Sequence, residues 1–459
     1  MDSNNLADME EPSIDTDKLS YEIFSILETK FLFGYNEPKL CLPKQLASPT
    51  NSDPERLLRS QRGKVCILAI DGGGAMRGIL AGKALAYLEN ALKKKSGNVD
   101  ARIADYFDVV AGSGVGGIFA AMLSATEDHQ RPIFHADDTW KLLAERGRRF
   151  YRPSSSGARM FFRRSFTSGS TGPATAGLEK TLKEAFVSNG RSLTLKDTLK
   201  PVLIPCYDLS STAAFLFSRA DALESDSFDF RLWEVCMATS AEPGRFDPVK
   251  MRSLDGRTGC LGVDGSLATV NPTGAAITHV IHNKQEFPMV RGVEDILVLS
   301  LGTGQVLELM EYGYDQVKRW KPKDWARPIA RISGDGSADL VDQAVGMAFA
   351  NAGCTSNYVR IQANGSSIGL SVPNLDIDTN SANVKILTEM AEEMLKQKNV
   401  ESVLLGGKRI SEQSNSEKLD WFAGELVLEH QRRSSRIAPT LYYLFVIANK
   451  GTNTTFLIL

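Results

Sequence analysis

The chain has 459 residues, of which 42% are hydrophobic and 24% charged, and its formal net charge is −2. That composition excludes disordered and fibrous classes, and the near-neutral charge leaves any attraction to nucleic acid or anionic membrane to a local patch. The six cysteines (Cys41, Cys66, Cys206, Cys236, Cys260 and Cys354) are scattered, with no C-x-x-C pair and no histidine at zinc-ligand spacing, which reads as buried reduced thiols and implies no metal and no cofactor.

Residues 1–17 are acidic and polar where a secretory leader would be basic and then apolar, and are expected to be disordered. Leu19, Ile23, Ile26, Leu27 and Phe31 then recur at helical spacing, so residues 1–60 read as an extension, disordered and then helical. Lys64–Ile70 is a continuous apolar run of strand length, followed at once by Asp71-Gly72-Gly73-Gly74-Ala75-Met76-Arg77-Gly78 and a helical pattern over 79–95. The plan repeats at Phe107–Ala121, FDVVAGSGVGGIFAA, where a β-branched strand feeds a glycine turn that opens into an apolar helix.

Residues 141–170 form an insertion of a different character, in which Arg146, Arg148, Arg149, Arg152, Arg159, Arg163 and Arg164 alternate with Phe150, Tyr151, Met160, Phe161, Phe162 and Phe166. Strands are expected at Pro201–Asp208, Ala214–Ser218 and Asp295–Leu301, and helices at Trp233–Ala238, Val384–Leu395 and Leu419–His430. Strands alternating with helices predict an α/β fold with a mostly parallel sheet, whose ligands bind where the strands end. The core is drawn as 61–310, a mainly helical part of the same domain as 311–436, and a tail as 437–459. No run reaches the roughly 18 apolar residues of a membrane span, so a cytoplasmic protein peripheral to membranes is expected. Without a secretory route, Asn364-Gly365-Ser366 and Asn453-Thr454-Thr455 are chance matches to the glycosylation sequon.

A triple glycine between strand and helix offers free N–H donors in a small concavity, and Arg77 adds a positive charge beside it: an oxyanion or phosphate cradle. A glycine run serves equally to let a helix pack close to a strand. No Gly-Lys-Ser/Thr follows, which excludes a P-loop. Gly112-x-Gly114-x-x-Gly117 also fits the dinucleotide fingerprint, but the stretch around Asp137 and Asp138 lacks the acidic-ended strand that reading needs. None of His129, His135, His279, His282 and His430 stands at a glycine turn, so a hydrolase built here would use a carboxylate base.

With these motifs in order, the chain resembles the patatin-like lipolytic acyl hydrolases of plants. The family's D-G-G-G-x-R-G resembles Asp71–Gly78 with one extra residue before the arginine, and its nucleophile elbow resembles Gly112–Gly117. Its A-T-S-A-x-P matches Ala238–Pro243, its V-D-G-G/A-x-x-x-N-P resembles Val263–Ser266 through Asn271-Pro272, and its L-S-L-G-T-G matches Leu299–Gly304. The resemblance implies a three-layer α/β/α fold, Asp264 as general base, and an oxyanion hole at Gly73 and Gly74 with Arg77 beside it. It also implies membrane glycerolipids, phospholipids or galactolipids, as substrates, and no nucleic acid partner.

The elbow departs from the G-x-S-x-G pattern, because the family's nucleophilic serine aligns with Gly114 and the nearest hydroxyl, on Ser113, comes one residue early. Activity would then use Ser113 after a local shift, another hydroxyl such as that of Ser266, or an activated water. A weak hydrolase and a non-catalytic lipid-binding regulator are both consistent with this sequence. Arg148, Arg149, Phe161, Phe162, Arg163 and Arg164 have the composition of a membrane-contacting segment.

Overall fold

The computed structural model describes residues 63–151, 172–304, 313–363, 378–404 and 407–450, with 323, 327, 401–404, 407–409 and 434–450 by backbone alone. The expected helix at Leu19–Phe33, Cys41, and Phe161, Phe162, Arg163 and Arg164 lie outside the described residues.

The first apolar run forms β1 (Val65–Ile70), and the helix after its glycine turn is α1 (Gly78–Ser96). The second unit is β2 (Val109–Gly112) and α2 (Val115–Ser124). Next come α3 (Ala136–Arg146), α4 (Gly172–Phe186), β3 (Val202–Asp208) and β4 (Ala213–Ser218). These are followed by α5 (Leu232–Thr239), β5 (Val249–Arg252), β6 (Gly259–Val263), α6 (Thr273–His282) and β7 (Ile296–Leu301). The chain continues through α7 (Pro322–Asn351), β8 (Tyr358–Ile361), α8 (Ser381–Lys396), a hairpin of β9 (Lys398–Leu404) and β10 (Gly407–Ser414), and α9 (Asn415–Lys450).

An eight-stranded sheet runs in the order β8-β7-β1-β2-β3-β6-β5, with β4 also on β3. The five strands from β8 to β3 are parallel; β4, β6 and β5 are antiparallel. Side chains alternate across the sheet, which is why β1 and β2 are apolar throughout. Cys66, Leu68 and Ile70 join a core with Leu80, Ala84 and Leu88 of α1 and Phe422 and Leu426 of α9. Ile67, Val109 and Ala111 face the opposite way, toward Ala276 and Val280 of α6 and Val345 and Phe349 of α7. The result is a three-layer α/β/α fold.

The segment after residue 310 is less purely helical than its sequence suggests, because β8 extends the parallel sheet on β7 and β9–β10 forms a hairpin. α9 also runs through the boundary drawn at 437. Its Arg433 holds Asp108 by two hydrogen bonds of 2.6 and 2.7 Å, and its Glu429 accepts from the Lys64 amide at 3.0 Å, so this helix closes onto the start of β1. Cys66, Cys206, Cys236 and Cys260 are free and buried, and Cys354 is free and half-buried. Among the described residues no helix is long and apolar enough to cross a membrane.

One feature of the sheet places the site. β4 covers one edge of β3 from Leu203 to Asp208, so the other edge is shared: β2 occupies it at Val202 and Leu203, and β6 at Tyr207 and Asp208. β2 and β6 therefore approach each other end to end. The turn after β2 carries Gly114, and the turn after β6 carries Asp264.

Candidate active site

The two glycine turns and the Asp264 turn enclose a cavity of about 240 Å³, lined among others by Gly72, Gly73, Gly74, Gly114, Asp264 and Ser266. Arg77, Arg245, Arg331 and Tyr151 also reach it. Gly114 stands at the N-terminus of α2 with φ +52° and ψ −124°, a conformation that glycine adopts freely and other residues only under strain. The backbone thus forms a sharp strand-to-helix elbow even though its apex has no side chain. The Gly114 amide donates to Thr239 Oγ1 at 3.0 Å, and that hydroxyl donates to the Pro205 carbonyl at 2.6 Å, tying the elbow to α5 and β3.

Gly73 and Gly74 are both left-handed, with φ of +74° and +69°. The Gly73 amide faces the cavity and donates to Ser266 Oγ at 3.1 Å. The turn is fixed from behind. Thr303 Oγ1 donates to the Gly72 carbonyl at 3.2 Å, the Gly72 amide donates to the Val270 carbonyl at 2.8 Å, and Arg77 Nη1 donates to the Gly304 carbonyl. The Leu299–Gly304 motif therefore works as a buttress for the first glycine turn.

Asp264 follows β6, its amide donating to the Ala241 carbonyl at 3.1 Å. Its carboxylate accepts the Ser266 amide at 2.9 Å, with the Ser266 hydroxyl beside it. Burial pushes the Asp264 carboxyl up to about 7; the nearby Glu242 adds to the rise, and the Ser266 bonds and Arg245 oppose it. Ser113 is placed differently. Its side chain is buried, its Oγ has no hydrogen-bond partner, and it does not line the cavity.

Asp71 does not face substrate space. Its carboxylate is gripped by Arg360 of β8, Nη1 donating at 3.0 Å and Nη2 at 2.5 Å. Arg360 also pairs with Asp342 of α7 at 3.1 Å and donates to Ser300 Oγ at 2.8 Å. Asn271, in the stretch that follows the Asp264 turn, donates to the same Asp342 at 2.7 Å. This buried network joins the turn of Gly73 and Gly74 to the turn of Asp264. Removing one member of such a pair leaves an uncompensated buried charge at a cost of about 3 to 5 kcal/mol. Sequence reasoning passed over Arg360; the available signal was a lone charge inside the apolar strand Tyr-Val-Arg-Ile.

Of the basic residues read as membrane-contacting, Arg148 donates to the Thr379 carbonyl at 3.2 Å and Arg149 to Glu184 at 2.7 Å, so both contact protein. The cavity has a different neighbour. Pro328, Arg331, Gly334 and Asp335 of α7 line it, while the opposite side of α7 exposes Trp325, Ile329, Ile332, Leu340 and Met347.

A cavity at the strand ends, bordered by a glycine-turn amide, a sharp elbow and a buried carboxylate, fits the site type of an α/β acyl hydrolase. Comparison agrees with that class: residues 68–277 match the model of the patatin-like phospholipase family. Patatin-like protein 7 of Arabidopsis thaliana is 64% identical over 438 residues, 95% of this chain and 86% of that protein. Patatin-like protein 6 of the same plant is 63% identical over 95% of this chain and 89% of its own length. A third Arabidopsis thaliana relative, named Probable inactive patatin-like protein 9, is 40% identical over 90% of this chain and 93% of its own length. The chain belongs to the patatin-like protein family, whose activity at the family level is lipid acyl hydrolysis.

Proposed function

We propose that this protein hydrolyses fatty-acyl esters of membrane glycerolipids, in the manner of a phospholipase A or galactolipase, with Asp264 as general base. The observation that carries the reading is the Asp264 carboxyl, raised to about 7 and lining a cavity beside the Gly73 amide. A base with a pKa near the working pH is both available in its ionised form and strong enough to take a proton. The amides of Gly73 and Gly74, with Arg77 beside them, stabilise the oxyanion. Gly114 favours a second reading, a lipid-binding regulator without turnover, and the word "inactive" in one relative's name fits it.

Fatty-acid release from phospholipid and galactolipid vesicles separates the two. Wild type is expected to release fatty acid with a rate that climbs through about pH 7 and levels off above it, because only the ionised carboxylate accepts a proton. Asp264→Asn is expected to lose about 10²- to 10⁴-fold, the usual contribution of a positioned acid–base group. Vesicle binding with no release in wild type would select the lipid-binding regulator.

Membrane contact is assigned to two surfaces. One is the basic segment with Arg148, Arg149, Phe161, Phe162, Arg163 and Arg164. The other is α7, whose exposed apolar stripe backs the cavity wall and begins beside exposed Lys318, Arg319 and Lys321, with Trp320 and Trp325 stacked edge-on at 4.9 Å. An apolar helix face with aromatic and basic residues at one end suits a bilayer interface. Ile329→Glu with Ile332→Glu is expected to cut flotation with anionic vesicles while sparing hydrolysis of a soluble short-chain ester. Unchanged flotation would return the contact to the basic segment.

A further inference from the structure

We infer that the nucleophilic hydroxyl of this protein stands on the Asp264 turn and not on the elbow: Ser266 Oγ, seated in the gap left by Gly72 and Gly114, attacks the acyl carbon. The inference rests on the hydrolase reading above and goes further by naming the attacking atom.

Space is the first argument. A Cβ built on Gly114 would lie 2.8 Å from Ser266 Oγ, and one built on Gly72 would lie 2.1 Å from it. Two glycines on two different turns thus clear the volume that the hydroxyl fills. A side chain at the elbow would point into that same volume and approach Asp264 Oδ1, 3.6 Å from the Gly114 Cβ position. Ser266 delivers an oxygen where an elbow serine would have delivered one.

Polarity is the second argument. A serine after Asp-Gly commonly does no more than close a turn. Here the turn is already closed without the hydroxyl, by the Ser266 amide on Asp264 Oδ1 at 2.9 Å and the Leu267 amide on the Asp264 carbonyl at 3.2 Å. The hydroxyl is spare. It lies between the Asp264 carboxylate and the Gly73 amide, a base on one side and an oxyanion donor on the other. It also lines the cavity, which Ser113 does not.

The step balances with the groups present and water. Ser266 Oγ bonds to the ester carbonyl carbon as its proton passes to Asp264, and the carbonyl π pair moves onto oxygen, which takes over the Gly73 amide that Oγ occupies at rest. Collapse of the tetrahedral species breaks the bond to the alcohol oxygen, which leaves with the proton from Asp264. Water, giving a proton to the same carboxylate, then attacks the Ser266 ester. Its collapse releases the fatty acid, and Ser266 Oγ regains a proton from Asp264.

The test uses the full-length wild-type protein and a fluorophosphonate, which bonds its phosphorus to an activated serine oxygen and expels fluoride. Mass spectrometry of the digested adduct is expected to place the label on Ser266. Ser266→Ala, checked by thermal melting, should lose labelling and roughly 100-fold or more of the turnover. Adding Gly114→Ser to Ser266→Ala should restore both, with the label now at position 114. Gly114→Ser alone should restore nothing further, because it puts two hydroxyls into one space. An adduct on Ser113, or full turnover in folded Ser266→Ala, would overturn the inference and leave the hydrolase reading standing. An inert wild type beside an active double variant would also overturn it, by showing a working site without a working Ser266. Inertness in both proteins would remove the hydrolase reading as well. If Ser266→Ala fails to fold, the adduct map of wild type decides alone.

Discussion

In the turn after β1, Gly73 and Gly74 are left-handed, and a Cβ on Gly73 would meet nothing within 4 Å. Around the turn after β2, Gly112 at the end of the strand and Gly116 in the first turn of α2 lie outside the left-handed region, and a Cβ on either would fall about 2 Å from backbone, 2.0 Å from the Gly116 carbonyl oxygen and 2.3 Å from the Ile70 carbonyl oxygen respectively. Both turns join a buried strand to a helix, yet glycine answers a different need in each. The first turn needs a backbone conformation that aims amides into a cavity. The second needs close approach, so that α2 can pack onto the end of β1. Gly114 is the exception in the second turn: its φ is positive, it faces the cavity, and a Cβ there would lie 2.8 Å from Ser266 Oγ.

The largest effect expected from this contrast is at Gly116. A methyl group there meets the Ile70 and Asp71 carbonyl oxygens at 2.3 and 2.6 Å, backbone that cannot rotate aside. Gly116→Ala must part α2 from β1 at the centre of the sheet, and is expected to destabilise by about 3 kcal/mol or more, the upper range for overpacking. Urea unfolding followed by circular dichroism measures it. A loss below about 1 kcal/mol would mean that the helix shifts easily and that close packing does not explain the glycine.

The same contrast marks what could be read from sequence. The strand, turn and helix units were legible because burial on both faces leaves continuous apolar runs, as in Cys66–Ile70 and Val109–Ala111, with glycines close behind each. Gly73, Gly74, Asp264 and Gly114 were legible as a set through the order of their motifs. Their meeting at one cavity depends on β2 and β6 sharing an edge of β3, which no local pattern encodes. Ser266 could be named from sequence as one candidate hydroxyl, but its setting could not, because the Gly73 amide that it accepts and the space at residues 72 and 114 come from turns far from it in the chain. Arg360 was legible only as an oddity, a charge in an apolar strand, because its partners Asp71 and Asp342 come from a distant turn and helix. At Arg148 and Arg149 composition records the charge but not the carbonyl and carboxylate that these side chains also engage.

The smallest expected change in stability is at Gly73, and it tests the other half of the contrast. Its φ of +74° strains any residue with a Cβ, at a cost of about 1 kcal/mol, but no neighbour stands in the way of the methyl group. Gly73→Ala should therefore fold and melt only a few degrees below wild type. Relief of that strain would rotate the peptide plane, and the amide now aimed at Ser266 Oγ would turn away from the oxyanion position. Weakening one such donor costs up to about 100-fold in turnover, so this variant should lose far more activity than stability. Gly116→Ala should lose its fold first and its activity only as a consequence. Comparing melting temperature with fatty-acid release for the two variants separates the two uses of glycine. A Gly73→Ala protein that unfolds as readily as Gly116→Ala would show that the first turn is also held by packing, and the open cradle assigned to it would have to be withdrawn.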